Sequence, residues 1–231
     1  HTVATAPDIF QHAMYTVFGD LDYVIIYLDD ILILSNQDDS FEDHLQKVNV
    51  VFTRLFNMGF KVNILKTEFF KDDLDYLGYH LTPQGIKPQA KKVEAITRVL
   101  RPKTRKQLRR FLSMVNYYRD VWKRRSHILA PLATLAGRSA KKYIWTDEHQ
   151  KSFEEAKRMV AGEAILAYPD FSKEFHVYTD ASDYQLGGVI MQEGKPLAFY
   201  TRKLNSAQAK YSTGEQELLS KNNRSTIRIQ F

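Results

Sequence analysis

Residues 23–34 read Tyr-Val-Ile-Ile-Tyr-Leu-Asp-Asp-Ile-Leu-Ile-Leu, the stretch that most narrows what this chain can fold into. Val, Ile, Tyr and Leu on both sides of the acids favour two paired, half-buried strands, so residues 21–34 are expected to form a β-hairpin. Turn chemistry alone asks for at most one Asp at the tip, more comfortably with a Gly beside it. Two adjacent carboxylates repel each other and lose hydration unless a cation or strong donors neutralise them. Asp29 and Asp30 are therefore candidate ligands for a divalent metal presented on a rigid hairpin, as phosphoryl-transfer enzymes require. The competing reading is a tight Asx-type turn.

A second acidic constellation follows. Tyr178-Thr179-Asp180-Ala181-Ser182-Asp183 ends an apolar strand with an acid, and Glu217 lies 37 residues further on, on an expected helix. Two hairpins between them would build a three-stranded sheet. An Asp on its central strand and a Glu on the adjoining helix could then share metal ions for phosphodiester hydrolysis. Spacing alone equally allows a turn residue and an exposed helix charge.

Charge is segregated along the chain. From Thr82 to Lys142 there are 17 Lys/Arg against two acids, a net +15, while the remaining residues carry 16 Lys/Arg and 25 acids, a net −9. A basic block between acidic flanks points to a polyanion partner; a solvated helical face is the alternative. With Cys 0 there is no disulfide framework and no Cys-based zinc site. No apolar run approaches the roughly 20 residues that span a bilayer, and no signal peptide opens the chain. The first residue, His1, points to a piece of something longer.

Ser40-Phe41-Glu42-Asp43 predicts a capping box, opening a helix with Leu45, Val48, Val51, Phe52, Leu55 and Phe56 on its apolar face and Gly59 as its stop. A strand pair is expected at 68–70 and 76–81 around the acidic turn Lys71-Asp72-Asp73. Pro83, Gly85 and Pro88 mark a boundary. Two helices should follow: one carrying Val93, Ile96, Val99 and Leu100, the other opening on Thr104 and Gln107 with Leu108, Phe111, Leu112, Val115 and Tyr118 inward. The second displays Arg105, Lys106, Arg109 and Arg110, and Lys123-Arg124-Arg125 extends that basic surface. Phe111, Tyr117, Tyr118 and Trp122 suit either core packing or base stacking. A helix with Phe153, Ala156 and Val160 inward precedes three strands at 174–179, 186–192 and 196–202.

Several stretches match a known family in order: Ala6-Pro7 with Phe10-Gln11; Tyr27-Leu28-Asp29-Asp30; Gly59 through Lys66-Thr67-Glu68-Phe69; Tyr76-Leu77-Gly78-Tyr79; Phe111-Leu112 with Val115-Asn116-Tyr117-Tyr118-Arg119; Ala130-Pro131-Leu132; Trp145-Thr146; Thr179-Asp180-Ala181-Ser182; and Tyr211 through Glu217-Leu218-Leu219. From Ala6 to about Ser220 the chain resembles the reverse transcriptase–ribonuclease H segment of a gypsy-type long-terminal-repeat retrotransposon Pol polyprotein. The resemblance implies a two-magnesium polymerase, with manganese as a substitute, in which Asp29 is a direct ligand and Asp30 a weaker one. It places Tyr27 and Gln11 near nucleotide or primer, has Lys66 assist pyrophosphate departure, and makes Leu77, Gly78 and Tyr79 the hairpin gripping the primer end. It makes the basic block a thumb holding duplex phosphates, and Asp180 and Glu217 the first two ribonuclease H carboxylates.

The fold class so implied is α+β: a partial polymerase palm (1–82), a helical basic thumb (83–136), a linker and tether helix (137–170), an incomplete ribonuclease H-like α/β domain (171–220) and a non-family tail (221–231). The expected partners are RNA/DNA hybrid and template–primer duplex, deoxynucleoside triphosphates in the intact enzyme, and polyprotein segments upstream and downstream, with no membrane. The expected setting is intracellular, a cytoplasmic particle or the nucleus. The family's other polymerase aspartate lies on a strand well before the hairpin, and further ribonuclease H acids follow the last helix, whereas Lys221–Phe231 contains no Asp or Glu. The isolated chain is thus expected neither to polymerise nor to cleave; a non-catalytic nucleic-acid-binding remnant is the alternative to an enzyme fragment.

Overall fold

Phe10, Met14, Val17 and Phe18 share one side of a 3.6-residue period, with Pro7 in the first turn, where its missing N–H costs nothing. They form α1 (Ala6–Phe18), a helix not anticipated from the sequence. The computed structural model describes residues 6–36, 38–122, 125–137, 142–162, 165–181 and 185–204, with only the backbone at 180, 181, 185 and 203. It divides into two compact units, His1–Phe70 and Lys71–Phe231.

In the first unit, β1 (Val24–Tyr27) and β2 (Asp30–Ile33) pair antiparallel, with Val24 opposite Ile33 and Tyr27 opposite Asp30. The expected hairpin is present. Ser40 opens α2 (Phe41–Asn57): its hydroxyl accepts from Asp43 N at 3.1 Å and its own N–H donates to Asp43 Oδ2 at 2.9 Å. Gly59, at φ +75°, ends the helix by taking a conformation that a Cβ would disfavour. Met14 and Phe18 of α1 and Val51 and Leu55 of α2 form the core beneath the hairpin. Phe56 is 81% exposed and Leu45 is also exposed, so the apolar stripe of α2 is narrower than its pattern suggested.

The second unit opens with β3 (Leu74–Tyr76), β4 (Tyr79–Thr82) and β5 (Gly85–Pro88) in the order β3-β4-β5. Residues 68–70 form no strand, and Lys71-Asp72-Asp73 closes no hairpin. The turn lies instead at Leu77-Gly78, where both residues take positive φ, +46° and +78°, the conformation that two-residue hairpin loops demand. The sheet falls in the second compact unit. Of the Pro/Gly stretch expected as a boundary, Pro83 lies in the turn after β4, and Gly85 and Pro88 begin and end β5.

α3 (Ala90–Thr97) stops earlier than expected, leaving Leu100 87% exposed ahead of Pro102. α4 (Arg105–Tyr117) starts at Thr104, whose hydroxyl accepts from Gln107 N at 3.2 Å. It buries Leu108, Phe111, Leu112 and Val115, as its periodicity predicts. α5 (Arg125–Ala136) carries Pro131 in its interior, which hid it from a sequence reading. α6 (Asp147–Ala161) stacks Phe153 on Phe111, ring centroids 4.5 Å apart. β6 (His176–Ala181), β7 (Gln185–Gln192) and β8 (Lys195–Lys203) form the expected antiparallel sheet, ordered β6-β7-β8. Backbone bonds Ile86 N to Leu166 O (2.8 Å), Leu166 N to Ile86 O (2.9 Å) and Ala167 N to Pro196 O (2.9 Å) join the two sheets of this unit. Among the described residues no helix is long and apolar enough to cross a membrane.

Candidate active site and nucleic-acid interface

The hairpin tip of the first unit is a two-residue turn, Leu28-Asp29, with Leu28 at φ +51°. A leucine there is strained, and the strain persists only if neighbours hold it. Gln11 of α1 does so: its Nε2 donates to Ile26 O at 3.1 Å and its Oε1 accepts from Leu28 N at 2.7 Å. One side-chain amide thus clamps the backbone just ahead of the acids. Gln11 was assigned a nucleic-acid contact from sequence; in the structure its amide is committed to the hairpin.

Asp29 and Asp30 are both exposed, and neither carboxylate has a hydrogen-bond or ion-pair partner among the described residues. Tyr27, paired with Asp30 across the hairpin, is 53% exposed. Two unpartnered hard oxygen donors on a braced turn fit a divalent cation such as Mg2+. Among the described residues no group of three His, Asp or Glu could hold a metal, so the pair offers part of a coordination sphere. Lys66 lies exposed in a single 3₁₀ turn, Ile64–Lys66.

The Leu77-Gly78 turn of the second unit is held differently. Tyr117 Oη donates to Leu77 O, Tyr118 Oη donates to Gly78 O at 2.8 Å, and Gln89 N donates to the same Gly78 oxygen at 3.0 Å. Tyr79 Oη donates to Tyr117 O at 3.2 Å. Burial pushes the Tyr118 phenol up to about 12 and raises that of Tyr79 as well. Beside the turn, Asp75 accepts from Gln89 Nε2 at 2.7 Å and pairs with His80 Nδ1 at 2.9 Å. These partners, Gln89 foremost, hold its carboxyl below the usual range. Sequence reasoning missed the Tyr117, Tyr118 and Gln89 contacts.

Of the expected basic surface, Lys106, Arg109 and Arg110 are exposed and Arg105 half-buried; Arg109 Nε donates to Ala136 O at 3.0 Å. Arg125 turns inward to Asn116 Oδ1, and burial lowers its guanidinium pKa. Lys123 and Arg124 lie outside the described residues. Phe111, Tyr118 and Trp122 are buried, which leaves Tyr117, 52% exposed, as the aromatic open to stacking. Asp180 sits on β6 opposite Gly187; β6 is an outer strand of the three described, whereas a central position was expected. Its side chain and all of Glu217 lie outside the described residues.

Residues 3–81 match the family described as reverse transcriptase (RNA-dependent DNA polymerase), and residues 145–222 match the RNase H-like domain found in reverse transcriptase. The chain is 36% identical over 217 residues to the retrovirus-related Pol polyprotein from transposon 297 of Drosophila melanogaster, covering 93% of this chain and 20% of that protein. It is 32% identical over 225 residues to the transposon Tf2-3 polyprotein of Schizosaccharomyces pombe, covering 94% of this chain and 17% of that protein. Structures of the foamy viral protease-reverse transcriptase, one in complex with double-stranded DNA and one with RNA/DNA hybrid, share the fold at a TM-score of 0.85 and 22% identity. They cover 96% and 95% of this chain, and 40% and 30% of the viral chains.

Fold and sequence together define a reverse transcriptase segment joined to an RNase H-like domain. The chain belongs to the family of transposon Pol polyproteins, spanning about a fifth of the length of the curated relatives it matches.

Proposed function

We propose that this chain binds RNA/DNA hybrid and template–primer duplex, and that within the intact polyprotein it serves RNA-directed DNA synthesis and cleavage of the RNA strand. Support comes above all from Asp29 and Asp30, two exposed carboxylates without a partner among the described residues, on a hairpin tip braced by Gln11. Asp29 would hold Mg2+, or Mn2+ in its place, directly, with Asp30 in support; Asp180 and Glu217 would serve the ribonuclease H site. A bound divalent ion supplies activation of the primer hydroxyl and neutralisation of the leaving pyrophosphate. Tyr27 faces the nucleotide or primer end, and Lys66 assists the departing pyrophosphate of a deoxynucleoside triphosphate. Lys106, Arg109 and Arg110 meet duplex phosphates, giving sequence-independent, salt-sensitive binding, while Leu77, Gly78 and Tyr79 meet the primer end. An intracellular setting, in a cytoplasmic particle or the nucleus, belongs to the same proposal.

A second reading, binding without chemistry, needs only the basic face of α4, on which Lys106, Arg109 and Arg110 are exposed. Hybrid affinity measured by fluorescence anisotropy in magnesium separates the two. A working metal site predicts that Asp29→Asn weakens binding by about tenfold, of the order of one charge-assisted contact. Unchanged or tighter binding selects the second reading, and no salt-dependent hybrid binding by the unsubstituted chain refutes both.

A further inference from the structure

The Leu77-Gly78 and Glu193-Gly194 turns are a natural pair: φ is +46° and +78° in the first, +49° and +77° in the second. Their surroundings differ. Around Gly194 a Cβ would meet nothing within 4 Å, whereas at Gly78 it would sit 3.2 Å from the Tyr117 ring. Both carbonyls of the 77–78 turn accept hydrogen bonds from tyrosine hydroxyls at the end of α4, about 40 residues away in sequence. Tyr118 is 2% exposed, so phenylalanine would fill its site equally well; the hydroxyl is there for Gly78 O. Its raised pKa keeps it a protonated donor throughout the physiological range. The same helix carries Lys106, Arg109 and Arg110 two to three turns earlier, roughly 10–18 Å along its axis.

We infer that Tyr117 and Tyr118 are positioning residues for the 77–78 turn, so that the helix engaging duplex phosphates also fixes where the hairpin meets the primer end. This inference rests on the duplex-binding function proposed above. α4 and the turn then move as one body: a duplex seated on the basic face of the helix has its primer terminus set by two phenol hydroxyls.

The test uses the full chain with a primer–template carrying 2-aminopurine at the primer 3′ terminus or, separately, well inside the duplex. Tyr117→Phe/Tyr118→Phe should leave hybrid affinity within about twofold, because no phosphate contact is lost. It should change the terminal probe's emission and not the internal probe's. Amide exchange at 77–79 should accelerate by about ten- to a hundredfold, the effect of losing two hydrogen bonds. Lys106→Ala should do the converse, weakening affinity with the terminal probe unmoved. Normal binding with an unmoved terminal probe in the double variant overturns the positioning role alone. No duplex binding by the unsubstituted chain overturns the proposed function and, with it, this inference.

Discussion

Two hairpin tips in this molecule place a leucine in the left-handed region, Leu28 in the first unit and Leu77 in the second, yet they are built on opposite plans. At 77–78 the next residue is Gly, the usual choice for such a loop, and two hydroxyls and a backbone N–H fasten its carbonyls. At 28–29 the next residue is Asp, and a single amide from α1 braces the backbone ahead of the turn while both carboxylates stay open. One tip has its two carbonyls engaged; the other is fixed through Ile26 O and Leu28 N and keeps its carboxylates on display. At the acidic tip, support sits where it does not compete with the groups on display.

Removing the brace at the acidic tip should have the largest effect. Gln11→Leu deletes two hydrogen bonds and leaves Ile26 O and Leu28 N unpaired, a loss of about 2–3 kcal/mol in urea unfolding of the first unit. A loss below about 0.5 kcal/mol would mean that the acidic tip holds itself and that only the 77–78 turn depends on a brace. Next come the glycines. Gly194→Ala costs about 1 kcal/mol for the left-handed backbone alone, and Gly78→Ala about 2 kcal/mol, because the Tyr117 ring cannot easily yield while its hydroxyl is engaged. Equal costs, measured by thermal unfolding, would remove the Tyr117 ring from the account.

Acid should produce the smallest difference. Asp20 (through Arg54), Asp39 (through Lys47) and Asp43 (through Ser40) in the first unit have lowered pKa values, as do Asp75 (through Gln89) and Asp170 (through Ser172) in the second. A carboxyl whose folded pKa is depressed stabilises above its unfolded value, about 3.9, and that stability is lost as pH falls through the folded value. Both units should therefore weaken below about pH 4, modestly, since these groups are well solvated. The first, with more such acids in fewer residues, should weaken sooner by hydrogen exchange. An acid response confined to the second unit would contradict this order.

Much of the framework is legible in sequence because it is local. The alternation around 24–33, the Ser40 cap and the apolar stripe of α4 are encoded within one element and appear as expected. α1 was equally encoded, in Phe10, Met14, Val17 and Phe18, but lay within a stretch that reads first as a motif. β3 was misplaced because Lys71-Asp72-Asp73 has turn composition, whereas the true turn is flanked by Tyr76 and Tyr79, residues that favour strands. The site's residue types were legible, and their supports were not. Gln11 reaches 15 and 17 residues along the chain, and the tyrosine hydroxyls 40, distances at which a single sequence carries no periodic signal.

The bridge between Ile86 and Leu166 carries a kinetic consequence. At a synthesis rate of about 5–20 residues per second, the 80 residues between them take roughly 4–16 s to make. For that interval β5, which can pair with β4 on one side, leaves its other edge bare and open to chaperones or to a neighbouring nascent chain. Gly85, whose Cβ would come within 2.2 Å of Leu166 O, keeps the path clear for the late arrival. Folding of the second unit is therefore timed by a strand made early and a segment made late.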